Sequence, residues 1–127
     1  MDQQKKNKQL IIEYVTATSG QVKTRELLEK YNDDSGLIEN ILFKESIFPR
    51  YEVGVLEIVA EGDRVVLLAK FKGIHKGEWL GMAPTNKEVS YTFAVGYEIR
   101  NNKIVHSWLV ADNLAIIEQL KGSLLKV

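Results

Sequence analysis

Two short polar breaks, Glu61-Gly62-Asp63 and Asn101-Asn102, interrupt long runs of Val, Ile, Leu and aromatic residues, and they constrain the fold more than any other feature. Residues from about Tyr51 to Ala60 and from Arg64 to Ile74 flank the first break; Val89 to Arg100 and Lys103 to Ala111 flank the second. Apolar, β-branched runs of this kind read as strands, and breaks this short join neighbours that run antiparallel. Glycine after an acidic residue is a hairpin signal, and asparagine tolerates left-handed backbone angles. The larger, C-terminal part of the chain is therefore expected to form four antiparallel strands in a meander.

Helices are expected ahead of the strands. Leu10, Ile11, Tyr14 and Val15 recur at helical spacing, and Ser19-Gly20 supplies a stop. Thr24 is a candidate N-cap for a short helix whose buried side is Leu27, Leu28 and Tyr31. The polar stretch 32–36 breaks it. A third helix then runs from Leu37 to Phe48, with Leu37, Ile38, Ile41, Leu42, Glu45 and Phe48 on its inner edge. Pro49 ends it, because the residue before a proline is driven out of helical geometry. A last short helix starts at Asp112, another candidate N-cap, and stops at Gly122. Helices followed by an antiparallel meander give an α+β class, and 127 residues fit one domain.

Charge and composition exclude several functions. Lys plus Arg and Asp plus Glu number 17 each, so the chain lacks the positive field that draws proteins to nucleic acid. It also lacks the basic amphipathic helix of a membrane-surface protein. With no cysteine, disulfides, zinc–thiolate sites and thiol catalysis are out. No stretch approaches the roughly 20 apolar residues of a membrane span, and the N-terminus lacks the apolar core of a signal peptide. A cytoplasmic protein is the expectation.

One layer of helices covers one face of a sheet, yet these strands are apolar on both. Val65, Leu67, Ala69 and Phe71 alternate with Val66 and Leu68; Leu56, Ile58 and Ala60 oppose Val53, Val55 and Val59. The second face is expected to meet another copy, giving a homodimer through the sheet. The same alternation groups Ile104, His106, Trp108, Val110 and Asp112 on one side of the last strand, and sets His75 with Phe71, Ala69 and Leu67. If both sets line one pocket, His75, Trp108 and Asp112 converge at its mouth. A carboxylate kept from water beside an indole has its pKa raised, which suits general acid–base work, and a histidine there can polarise a carbonyl. Each residue also has a plainer role: Asp112 as a helix cap, His75 and His106 as structural groups, Trp108 as core. The spacing of the two histidines and Asp112 does not indicate a metal site.

Several stretches are similar to one known family. Glu61-Gly62-Asp63, Gly73-Ile74-His75-Lys76-Gly77-Glu78, Gly81-Met82-Ala83-Pro84-Thr85, Lys103-Ile104-Val105-His106-Ser107-Trp108, Ala111-Asp112 and Gln119-Leu120 resemble the motifs of the SnoaL-like polyketide cyclase or ester cyclase family, of the nuclear transport factor 2-like superfamily. The resemblance is strongest over the C-terminal half and extends to the helix ending in Phe48-Pro49. It implies a cone-shaped α+β barrel with a pocket between helices and a curved sheet, and dimers or tetramers packed through that sheet. It further implies an intramolecular aldol-type ring closure without metal or cofactor, with Asp112 similar to the family's proposed general acid–base. His75 would then stand at the pocket end, with the stretch from Trp79 to Pro84, Met82 included, as its lid or rim; Phe71, His106 and Trp108 are further candidates to contact the ligand. Four positions depart from the pattern: Ser107 stands where the family has a histidine, Asn40 where a second histidine is common, Ile74 where threonine is usual, and Ala83 in place of the first proline.

The expected activity is thus a cyclase, or a related lyase or isomerase, acting on a small apolar carbonyl compound, with Asp112 and His75 catalytic and Asn40 assisting. A non-catalytic module binding a small hydrophobic molecule in the same pocket is the alternative.

Overall fold

The computed structural model describes residues 2–121. Helix α1 (Gln3–Thr18) is capped by Asp2, whose carboxylate accepts the Lys5 N–H. Helix α2 (Arg25–Glu29) is capped by Thr24, as its sequence suggests. Helix α3 (Ser35–Ile47) begins two residues earlier than its apolar pattern does, because Asp34 accepts the Leu37 N–H and so extends the first turn back to Ser35. Strands β1 (Glu52–Glu61), β2 (Arg64–Ile74), β3 (Glu88–Arg100) and β4 (Lys103–Ala111) pair antiparallel in the order β1-β2-β3-β4. Helix α4 (Asn113–Lys121) follows; the expected stop at Gly122 lies outside the described residues. Both hairpin turns use left-handed backbone, with φ of 60° at Gly62 and 51° and 62° at Asn101 and Asn102.

One sheet face carries the core, which forms two clusters. The first joins Leu10, Ile11, Tyr14 and Val15 of α1 with Leu28, Ile38, Val65, Leu67, Tyr97 and Ile104. The second, around the opposite end of the sheet, joins Ile47, Phe48, Tyr51, Phe71, Val89 and Tyr91 with Ile116 and Leu120 of α4. Phe71 is the hub of the second: its ring stacks on Tyr91 at 4.6 Å and 19°, and lies 5.0 Å from Tyr51 and 5.3 Å from Phe48.

Two bulges change the alternation read from the sequence. In β1 the register slips at Leu56, so Val53, opposite Phe71, and Ile58, opposite Leu67, both face the helices, although strict parity would oppose them. In β4 the slip falls at Val105: Ile104 pairs with Ile99, but His106 pairs with Glu98. An extra residue in one strand turns every later side chain to the other face. Ile104 is therefore core, while His106, Trp108 and Val110 lie on the outer face. There the Trp108 indole lies across Gly96, where a Cβ would press on the ring at 3.2 Å. The His106 ring meets its edge at 4.5 Å, and the Arg64 guanidinium sits 5.0 Å from it. Leu56, Val59, Val66 and Val110 are also exposed, so much of the outer sheet face is apolar.

Candidate functional site

A cavity of about 160 Å³ lies between the helices and the inner sheet face, where the two core clusters meet. Helix α1 contributes Tyr14, Val15 and Thr18; α3 contributes Leu37, Asn40, Ile41 and Lys44. The sheet side is Val53, Leu67, Phe71, Phe93, Val95 and Tyr97, closed by Tyr51 before β1 and by Ser107 and Leu109 of β4. Asn40 and Leu109 are exposed as well as lining, which marks the opening.

Among the described residues, a single cation lines the cavity. Lys44 Nζ donates to the Tyr91 hydroxyl at 2.9 Å and stands 5.3 Å from the centre of the Phe71 ring and 5.6 Å from that of Tyr91. None of the ion pairs among the described residues includes it. Burial pulls its pKa below the usual lysine value. Lys23, behind Tyr51, makes the contrast. Its Nζ donates to the Tyr51 carbonyl at 2.5 Å and the Gln21 carbonyl at 3.0 Å, and the Glu45 carboxylate is 3.7 Å away. Burial still lowers its pKa to about 8, with Glu45 pulling the other way. The tyrosines shift upward for the same reason: burial holds Tyr14, Tyr51, Tyr91 and Tyr97 protonated well past their ordinary range.

Of the residues singled out in the sequence, Asn40 and Phe71 line this cavity. Asp112 and His75 are not brought together in it. Asp112 is exposed at the β4–α4 junction, and its Oδ1 accepts the Ala115 N–H at 2.9 Å, capping α4. His75 is fully buried, 5.9 Å from the Phe48 ring. Its Nδ1 accepts the Thr85 N–H at 3.2 Å and lies 3.0 Å from the Thr85 hydroxyl, while its backbone bonds Asn86 and Lys87. The ring therefore ties together the two ends of the loop between β2 and β3. Lys76 and Gly77 bind the same loop to the Ile47 carbonyl, at a spot where a Cβ on Gly77 would collide with the Ser46 carbonyl oxygen. Trp79 and Met82 bond each other through their backbones and pack on the second core cluster, so the loop covers that cluster and does not line the cavity. His106 and Trp108 are on the outer face, for the bulge at Val105 put them there.

Ser107, one of the departures from the family pattern, also reaches the cavity wall, and its hydroxyl donates to the free oxygen of the Asp34 cap at 3.1 Å. Lys44 escaped the sequence reading, although a signal was present. Leu37, Asn40, Ile41 and Lys44 share one helical stripe, and a lysine on such a stripe ordinarily reads as a side chain that runs its stem over apolar surface and its head to water.

The comparisons with known proteins agree with this architecture. The family model for the SnoaL-like polyketide cyclase matches residues 34–120. AclR, a proposed hydroxylase from Streptomyces galilaeus, has a similar structure, with a TM-score of 0.82 at 24% identity over 98% of this chain and 85% of its own. A proposed polyketide cyclase from Acidithiobacillus ferrooxidans superposes with a TM-score of 0.80 at 20% identity, over 97% of this chain and 99% of its own. A proposed SnoaL-like polyketide cyclase from Jannaschia sp. CCS1 gives 0.81 at 20% identity, over 94% and 96%. At these identities the likeness is one of fold. No curated protein gives a significant match.

Proposed function

This chain belongs to the SnoaL-like polyketide cyclase family, and on that premise we propose that it acts on a small apolar carbonyl compound of polyketide type, by cofactor-independent proton transfer next to the carbonyl. The observation that carries the reading is Lys44: an ammonium without a carboxylate partner among the described residues, set in an aromatic cavity wall. Removing a proton beside a carbonyl puts negative charge on its oxygen. A fixed cation and hydroxyl in a site of low dielectric stabilise that charge far better than water does. Lys44, its ammonium anchored by the Tyr91 hydroxyl, would receive the oxygen, Phe71 and Phe93 would hold the apolar body, and Asn40 would meet what projects through the opening. A cavity of about 160 Å³ holds one six-membered ring, since an engineered cavity of about 150 Å³ binds benzene. A longer polyketide would have to extend past Asn40 and Leu109.

Asp112 does not line the cavity, so it could serve as the proton acceptor there only by moving in from the exposed junction. The test separates the two sites. Exchange of the α-protons of cyclohexanone in deuterated water is followed by NMR with the wild type, Lys44→Met and Asp112→Asn. Lys44→Met is expected to slow exchange by about 10²- to 10³-fold, the usual effect of removing an oxyanion-stabilising donor, and Asp112→Asn to leave it near wild type. If Asp112→Asn abolishes exchange and Lys44→Met does not, the chemistry belongs to Asp112 and this assignment fails. A second reading, a binding module without turnover, draws on the absence of Asp112 and His75 from the cavity. It predicts saturable cyclohexanone binding with no exchange.

A homodimer through the outer sheet face belongs to the same proposal. Val59, Val66, Trp108 and Val110 are exposed side by side on that face, and a patch of this kind is unusual on a monomer. Sedimentation should show a dimer at micromolar concentration and a monomer for Val66→Glu. A wild-type monomer would refute the proposal.

A further inference from the structure

Among the described residues, burial lowers the pKa of two lysines, Lys23 and Lys44, and they are equipped differently. Lys23 is spent on structure: two backbone carbonyls and Glu45 surround its head. Lys44 has one hydroxyl partner and aromatic faces, and it lines a cavity that opens to solvent beside Asn40. A structural lysine would gain from a carboxylate at that point, and none is there among the described residues. An amine in this setting resembles the desolvated lysines that attack carbonyl carbon.

We propose that Lys44 is a covalent nucleophile, forming an imine with the aldehyde or ketone carbon of a ring-sized apolar ligand held in the cavity. The inference rests on reading the cavity as a carbonyl-compound site, and it makes the imine nitrogen the electron sink for the proton transfer, in place of a carbonyl oxygen held by the ammonium. The neutral amine attacks the carbonyl carbon, and the C=O π pair moves to oxygen. A proton passes from nitrogen to that oxygen, giving a carbinolamine. The C–O bond then breaks as the nitrogen lone pair forms C=N, and the oxygen leaves as water after accepting one more proton. The balance is amine plus carbonyl giving imine plus water, with no oxidant or reductant. Tyr91 is placed for both proton transfers, its hydroxyl 2.9 Å from Nζ. With the ammonium it accepts a hydrogen bond; with the neutral amine it donates one, and it can pass that proton to the departing oxygen. Burial supports each role, since it lowers the Lys44 pKa and keeps Tyr91 protonated. Protonated on nitrogen, the imine withdraws electrons from the adjacent carbon more strongly than the ketone does, so the same α-proton becomes easier to remove.

The test uses the intact protein, cyclohexanone and cyanoborohydride, which reduces imines and spares ketones. Intact mass and peptide mapping should find one cyclohexyl group per chain, on Lys44, in clear excess over the labelling of any exposed lysine. Lys44→Arg keeps a positive charge at this position but cannot form the imine, and should remove that adduct. Labelling spread evenly over the surface lysines, or unchanged in Lys44→Arg, overturns the proposal. α-Proton exchange without a trapped adduct also overturns it, while leaving the proposed function standing. If cyclohexanone neither binds nor exchanges, both fall together.

Discussion

Above about pH 10 the protein is expected to lose stability at about 5 kcal/mol per pH unit and to unfold within about two units. The cause is four buried tyrosines, Tyr14, Tyr51, Tyr91 and Tyr97, each with its pKa raised by burial. In the unfolded chain each ionises near 10; in the folded protein each keeps its proton to much higher pH. Above 10 the unfolded state therefore binds fewer protons, and raising the pH favours it. One such group changes stability by about 1.4 kcal/mol per unit, and four acting together exhaust the about 5–15 kcal/mol of a typical domain. Lys23 has the opposite sign. Its folded pKa is about 8 and its unfolded value 10.5, so between them the unfolded state binds more protons and stability rises with pH. Lys44 adds in the same direction. A stability maximum is thus expected at about pH 9–10, followed by the alkaline collapse. Urea midpoints by circular dichroism across this range, with tyrosinate absorbance recorded alongside, would check it. Gradual ionisation of these tyrosines near pH 10 with the fold intact would mean that their hydroxyls are hydrated, and the account would be wrong.

The tyrosines also show why the fold could be read from the sequence more readily than the site. Val65, Leu67, Ala69 and Phe71 alternate without interruption, and all four are buried as that alternation requires. The turns at Gly62 and Asn101-Asn102 are where backbone chemistry demands them, so the meander follows from a few residues. The bulges at Leu56 and Val105 carry no such mark. Neither is a glycine or a proline, and each residue would sit equally well in a regular strand. One unmarked residue in β4 was enough to move His106 and Trp108 from an expected pocket to the outer face. His75 was legible as unusual, but its partner Thr85 is ten residues away, across a loop whose path only the fold determines. For Asp112 the capping role was visible beforehand, and the hydrogen bond to Ala115 is that of a cap. Lys44 needed the partner it meets on β3, since charge alone on a helix stripe does not distinguish a buried head from a solvated one.

Two substitutions at Phe71 are expected to move the Lys44 pKa in opposite directions. Phe71 is 1% exposed, lines the cavity, stacks on Tyr91 and stands 5.3 Å from the ammonium, so it contributes to both packing and electrostatics. Phe71→Ala removes the hub of the second cluster and should cost about 3–5 kcal/mol. It also joins the vacated space to a cavity that already opens to solvent. Water entering there would rehydrate Lys44 and raise its pKa, and this outweighs the lost cation–π attraction of about 0.5–2 kcal/mol. Phe71→Leu keeps most of the volume and should cost less. Little new space opens to water, the aromatic face is gone, and the ammonium loses a stabilising contact, so the Lys44 pKa falls further. Urea denaturation gives the first quantity, and a ¹³C-lysine NMR titration gives the second. A fall in both variants would mean that water does not enter the enlarged space. A rise in both would mean that the ring's main effect on Lys44 is to exclude water, so the amine's reactivity would depend on dryness and not on the aromatic face.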